Sequence, residues 1–515
     1  MQIERVKNAG RNVVFGGCLK VYQIVVPFLM RTAMIYFMGV EYLGINSLFA
    51  SILQVLNLTE LGVGSAMVYS MYKPIAEDDT QTICALMRLY RFYYRIIGVV
   101  VAVIGIVLTP FIPYLVKNDL PPGLNIYILY LLNLASTVLS YWLFAYKNAL
   151  FQAHQRNDII SKITLMTNTL QYIIQLSVII FIKDYYLYLL AALLTQALTN
   201  IVTAIAAEKK YPEYKPRGKL EKDIVKDINQ RIRDLFTSKI GVVVVNYADT
   251  IVISAFLGLT MLAIYQNYFF ILNAVIGFVT IIFQSCTAGI GNSVITETKE
   301  KNFNDLKKFT FLIFWIAGFC TCCLLGLYQP FMEIWVGEEL MLGLPAVILF
   351  CLYYFIYEIN QLLNTYKDSA GIWHKDRFRP LITAGTNLLM NLIMVHIWGI
   401  YGVLLSTVLS MVFVGMPWLL HNLFTTVFEK RLFYGYVSEL LKYTGIAFIS
   451  CILIFFTCNY ISLSKWSALI VRAIICCVLP NVFYFIVYRK KAEFKQCVYL
   501  IDKLTKKRFK LNRFL

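Results

Sequence analysis

The chain has 515 residues, 59% of them apolar, a net charge of +18 and a mean hydropathy of +0.66. No soluble domain carries that apolar fraction. Of the 47 Lys and Arg residues, 41 lie in, or within four residues of, alternate gaps between apolar segments, so the charge marks membrane loops and no nucleic-acid partner is expected.

A helix needs roughly 20 apolar residues to cross a bilayer. Fourteen stretches qualify: 13–38, 43–71, 96–116, 124–146, 159–182, 185–207, 238–257, 262–294, 309–332, 344–366, 380–398, 400–425, 440–460 and 465–488. The second and eighth exceed the minimum and are expected to tilt or project past the lipid. The opening MQIERVKNAG has no cleavage-site pattern, so the first segment is expected to stay as a span. The opposite turns hold only Lys117, Lys183 and Lys465, which places both termini in the cytoplasm.

Ionisable groups inside spans are costly and mark function or internal pairing. Span 1 carries Lys20 and Arg31, eleven residues apart, with Pro27 between them to bend the helix. That spacing puts both cations on one face, about 16 Å apart. They suit an anionic group passing through a cavity, or they snorkel to opposite surfaces. Span 2 holds Glu60. Arg88, Arg91 and Arg95 follow at i, i+3, i+7, interleaved with Tyr90, Tyr93 and Tyr94. This face either collects phosphates or is an ordinary positive-inside anchor with an aromatic belt. His154 falls in a loop expected to be solvated.

Residues 208–237 place Leu220, Ile224, Ile228, Ile232 and Leu235 at steps of three and four among basic residues. An amphipathic helix on the inner membrane surface is expected there. Span 7 brings Asn246 and Asp249, and span 10 brings Glu358 and Asn364. These carboxylates pair with a cation, bind one such as Na⁺, or carry a proton. Asn267 and Asn387 line a sugar-sized cavity or hold helices together. His374 falls in a loop and His396 near the outer end of span 11. Ten of the twelve cysteines lie in or at the edge of spans; even Cys320, Cys322 and Cys323 read as apolar packing, with no metal expected. The tail, 489–515, carries ten basic residues around Phe494, Val498 and Ile501 and faces either water or anionic lipid.

The chain repeats at a spacing of about 220 residues. Phe37-Met-Gly39 through Leu43-Gly-Ile45 aligns with Phe256-Leu-Gly258 through Leu262-Ala-Ile264, and Tyr146-Lys147 with His154 aligns with Tyr366-Lys367 and His374. The resulting organisation is a six-helix lobe over 1–207, a linker over 208–237, a second six-helix lobe over 238–427, two additional helices over 428–488 and a basic tail over 489–515. Because six is even, the lobes form a parallel pseudo-twofold repeat.

Gly39-Val-Glu-Tyr-Leu-Gly-Ile-Asn-Ser-Leu-Phe49, Glu60-Leu-Gly-Val-Gly-Ser-Ala66 and Tyr72-Lys-Pro-Ile-Ala-Glu-Asp78 together resemble the first helical hairpin of bacterial polysaccharide transporters. These are the Wzx-type lipid-linked oligosaccharide flippases of the multidrug/oligosaccharidyl-lipid/polysaccharide exporter superfamily. The resemblance implies an all-α, MATE-like integral membrane fold of about 14 transmembrane helices in the bacterial cell (inner) membrane. It implies a transporter, not an enzyme, that turns undecaprenyl-diphosphate-linked oligosaccharide from the inner to the outer leaflet by alternating access. It further implies coupling to an ion gradient (H⁺ or Na⁺), no other cofactor, and contact with membrane lipids and polysaccharide polymerase machinery. Lys20 and Arg31 stand in the span where such flippases carry cations.

A multidrug-type cation antiporter of the same fold is the alternative, drawing on Asp249 and Glu358. A membrane glycosyltransferase or polymerase is remote, because the outer turns reach only about a dozen residues. No Walker A sequence is present, which argues against ATP-driven transport by this chain alone.

Overall fold

The computed structural model describes residues 5–504 except 61, 118, 119 and 462; the side chains of a few others, Asn246 among them, also lie outside the description. Among the described residues there are helices and no strands. The chain divides into two compact units, Met1–Ala263 and Ile264–Leu515.

The first unit begins with α1 (Arg5–Phe37), which runs unbroken through Pro27, then α2 (Val40–Leu56) and α3 (Val63–Ala76). After α4 (Thr80–Leu108) come α5 (Ile126–Trp142), the short α6 (Asn148–Ala153), α7 (Asn157–Ser177) and α8 (Tyr185–Lys210). The long α9 (Lys222–Leu257) and the start of α10 (Leu259–Thr296) complete it. The second unit continues along α10 and holds α11 (Lys299–Val336), α12 (Leu344–Ser369), the single-turn α13 (Trp373–Asp376) and α14 (Arg379–Trp398). Then follow α15 (Ile400–Ser410), α16 (Met416–Thr426), α17 (Phe433–Asn459), α18 (Lys465–Tyr488) and α19 (Ala492–Leu504).

Among the described residues, eleven helices are long and apolar enough to cross a membrane, or twelve if the bent pair Ile126–Trp142 and Ala145–Ala153 is one span. The other two expected spans fall on the shorter apolar helices Val40–Leu56 and Val243–Leu257. The protein is a multi-pass, all-α membrane protein.

Two expectations change. The stretch 43–71 is not one tilted helix: it breaks into α2, a 3₁₀ turn over Asn57–Glu60, and α3. Gly62 sits at the break with φ of 91°, a left-handed backbone that glycine adopts without strain. The linker and span 7 are not separate, because α9 runs continuously from Lys222, with no proline and no glycine before Gly241 to stop it.

The linker is also docked rather than free. Tyr211 stacks on His154 with ring centroids 4.4 Å apart, and Tyr214 stacks on Tyr211. Arg217 N donates to Cys84 O at 3.3 Å and Arg88 Nη1 to Gly218 O at 2.9 Å. Tyr93 donates to Asn229 Oδ1 at 2.7 Å, and Arg231 lies over the Tyr69 ring. His154 is therefore buried, not solvated as expected. In the second unit α19 is tied down likewise: Phe494 is buried and stacks on Trp315, and Cys497 is buried beside it.

Helices approach closely where glycines allow it. A Cβ on Gly44 would sit 2.3 Å from the Leu259 carbonyl oxygen, a backbone atom that cannot swing aside. Gly39 and Gly258, matched in the repeat, both take positive φ at a helix-to-helix turn, at 127° and 94°. Gly44→Val should lower stability by about 1–3 kcal/mol, the usual cost of overpacking. Thermal unfolding of the purified protein in detergent checks this; an unchanged midpoint would mean that the α2–α10 approach is looser than described.

Candidate functional site

The break after α2 delivers Glu60 into a cage of tyrosines. Tyr94 on α4 donates to Glu60 Oε1 at 2.5 Å, and Tyr90, one turn earlier, donates to Tyr94 at 2.8 Å. The Tyr141 hydroxyl on α5 lies 2.9 Å from Glu60 Oε2 and 2.8 Å from Asn57 Oδ1. The rings pack edge to face, Tyr90 with Tyr94 at 4.5 Å and Tyr94 with Tyr141 at 5.6 Å. Hydrogen bonds to an ionised group are the stronger kind, so the cage holds the carboxylate where the chain leaves helical geometry. Sequence reasoning found Glu60 and missed its partners. Tyr90 and Tyr94 are not an aromatic belt: both are buried, at 4% and 5% exposure, as their i, i+4 spacing on one face of α4 permits.

The three arginines of α4 do not share one free cationic face. Arg88 is committed to the linker through Gly218, Arg91 is half-buried within electrostatic reach of Tyr146, and Arg95 is exposed. On α1, Lys20 is exposed and Arg31 is half-buried, within electrostatic reach of Tyr188 on α8. Helix α1 packs on α7, where the Tyr22 and Thr169 hydroxyls meet at 2.9 Å. Asp249 and Thr250 are buried on α9; the side chain of Asn246 is outside the described residues.

The second unit has a different character. Glu358 on α12 is 1% exposed, and neither carboxylate oxygen has a hydrogen-bond partner among the described residues. Tyr354, Tyr357 and Cys320 lie within its electrostatic reach. The other polar candidates have protein partners. Asn364 accepts from Arg379 Nη2 at 2.8 Å, and buried Asn387 donates to Thr407 at 3.0 Å, joining α14 to α15. Asn391 extends that seam to Ser406. Asn267 is fully buried on α10. His374 and His396 are exposed. The cysteines read as apolar packing cluster as free thiols, with Cys322, Cys458 and Cys476 in one buried group, and no three metal-binding side chains come together among the described residues.

Residues 9–288, more than half of the chain, match the family described as polysaccharide biosynthesis protein. The chain belongs to that family. Its fold is similar to the lipid II flippase MurJ in an inward closed conformation, at 14% identity, with a TM-score of 0.65 covering 93% of this chain and 99% of that one. It is also similar to an inward-facing multidrug resistance MATE family transporter of the MOP superfamily (14% identity, TM-score 0.63, 82% and 96% covered). A MOP superfamily transporter from Pyrococcus furiosus is similar at 13% identity and a TM-score of 0.52, over 81% of this chain and 94% of that one. A search of curated protein sequences found no significant match. This member of the polysaccharide biosynthesis protein family thus has a membrane fold similar to that of MurJ and the MATE transporters.

Removing one hydroxyl from the cage should be measurable. Tyr94→Phe leaves Glu60 short of a charge-assisted hydrogen bond, worth about 1.5–3 kcal/mol, and breaks the relay from Tyr90. The variant should unfold at a lower temperature in detergent, and adding Glu60→Gln to it should cost less than the two single changes summed. Strict additivity in that double-mutant cycle would mean that the two groups do not interact.

Proposed function

We propose that the protein moves an undecaprenyl-diphosphate-linked oligosaccharide from the inner to the outer leaflet of a bacterial cell membrane, for export of a surface polysaccharide. The observation that carries this reading is the family match over residues 9–288. A diphosphate cannot enter hydrocarbon bare, so the transporter must replace its water with fixed cations and polar groups. Lys20, Arg31 and Arg95 are the cations of the first unit that supply them; Arg88 acts from behind, holding the linker. The polyprenyl tail stays in lipid throughout, and alternating access moves only the head group.

Glu358 is the coupling group in this reading. An isolated buried carboxylate charge costs several kcal/mol, so a proton or a cation shares its site when the unit is closed. An H⁺ or Na⁺ gradient acting on Glu358 then drives the cycle. The same residue favours the second reading, a multidrug-type cation antiporter, which would need no diphosphate-binding cations.

Deletion of the gene, followed by lipid extraction, tests the substrate. Undecaprenyl-linked oligosaccharide should accumulate and surface glycan should fall. Arg31→Ala should reduce export by about 10- to 100-fold, the loss of one charged hydrogen bond, with normal membrane levels of protein. Glu358→Gln should abolish dependence on the ion gradient while substrate binding persists. A deletion strain with normal surface glycan and no accumulated lipid-linked sugar would refute the flippase reading.

A further inference from the structure

Two pairs of free thiols in the second unit lie close enough to join, and their settings differ. Cys322 on α11 faces Cys451 on α17 with the sulfurs 3.7 Å apart, beside the Ser450 hydroxyl at 3.3 Å. Cys458 on α17 faces Cys476 on α18 with the sulfurs 3.9 Å apart. No Lys or Arg stands within two turns of Cys322 or Cys451 along its own helix. That pair is packing.

Arg472 gives the second pair a different character. It precedes Cys476 by one turn of α18, which puts the two side chains on one face. Its Nη2 donates to the Ile461 carbonyl at 3.4 Å, and Ile461 N donates to the Cys458 carbonyl at 3.3 Å. The guanidinium is thereby pinned to the turn that Cys458 opens, within electrostatic reach of the Cys458 thiol. Glu333 near the end of α11 is held by Lys465 at 2.8 Å, and Glu338 and Glu339 are exposed. A thiol attacks an oxidant as its thiolate, and a neighbouring Arg stabilises that charge. The free carbonyls at the end of α17 oppose it; the bond from Arg472 to Ile461 sets a cation against them.

Packing holds the two sulfurs side by side. A Cβ on Gly326 would lie 2.6 Å from Cys476 Sγ and 3.3 Å from Cys458 Sγ, so both rest against the bare glycine of α11. Reaching the roughly 2 Å of a disulfide asks about 1 Å of movement from each sulfur. Cys458 is 3% exposed and Cys476 is 0% exposed, so an oxidant must be nearly as small as water to reach them. Hydrogen peroxide is that small. We propose that Cys458 and Cys476 form a peroxide-oxidised pair, with Arg472 as the positioning cation, whose disulfide ties α17 to α18. The Cys458 thiolate attacks one peroxide oxygen and the O–O bond breaks, leaving a sulfenic acid and a hydroxide that takes the proton Cys458 gave up. Cys476 then attacks the Cys458 sulfur, the S–O bond breaks and a second water leaves. Two thiols and one hydrogen peroxide thus become one disulfide and two waters. None of this depends on what the protein transports.

The full-length chain in detergent tests the pair, with exposed Cys477 first replaced by Ser so that the link is assigned without ambiguity. The chain is treated with hydrogen peroxide, denatured, alkylated and mapped by peptide mass spectrometry. The expected product is a disulfide joining Cys458 to Cys476, absent in Cys458→Ser and reversed by a small thiol reductant, while Cys322 and Cys451 remain alkylatable. Arg472→Gln should slow its formation about 10-fold, the effect of one unit in the thiolate equilibrium, and Arg472→Lys should keep most of the rate. Full alkylation of Cys458 and Cys476 after peroxide would overturn the proposal. So would a disulfide between Cys322 and Cys451 in its place, or an unchanged rate in Arg472→Gln.

Discussion

Charge in hydrocarbon is the constraint on which everything else in this protein depends. A lone ion there costs several kcal/mol even after local relaxation, so each ionisable group along the spans must be paired, solvated or employed. The first unit surrounds Glu60 with tyrosine hydroxyls and Asp158 with cations, and keeps Lys20 and Arg95 open. The second unit pairs Asp376 completely and leaves Glu358 without a hydrogen-bonding partner among the described residues. Under the function proposed above, the cations that would meet an anionic cargo belong to the first unit and the coupling carboxylate to the second.

The helix break at Asn57–Gly62 links local structure to that chemistry. A continuous helix over 43–71 would carry Glu60 past the tyrosines as one more surface residue. The break stops α2, turns the chain through a left-handed glycine and presents the carboxylate to α4 and α5. The glycine also lets α9 come close, since a Cβ on Gly62 would lie 2.6 Å from Leu235 Cβ. One turn thus sets both the cage and the docking of the linker, and a movement of α9 would be felt at Glu60.

Hydropathy made the helices legible, because a span must be apolar along its whole length, and every expected span falls on helical chain, 43–71 with a break. Charge alternation made the loops legible for the same reason. What periodicity could not reveal is which partner a face meets. Ile228 and Leu235 at helical spacing suit lipid or protein equally, and the structure puts Ile228 in a buried position. Tyr94 and Glu60 are 34 residues apart and meet only through tertiary packing. A helix break inside a long apolar run leaves no hydropathy signal. Of the candidate site, the ionisable residues were legible one by one, and their pairings were not.

The most direct test of the account is transport by the purified chain alone. It would be reconstituted in sealed vesicles with a fluorescent undecaprenyl-diphosphate-linked oligosaccharide in one leaflet, and the fraction reachable from the other side followed with a membrane-impermeant quencher. The account predicts protein-dependent movement that quickens when a proton or sodium gradient is imposed. No movement above protein-free vesicles, from a chain that still binds the lipid, would contradict it.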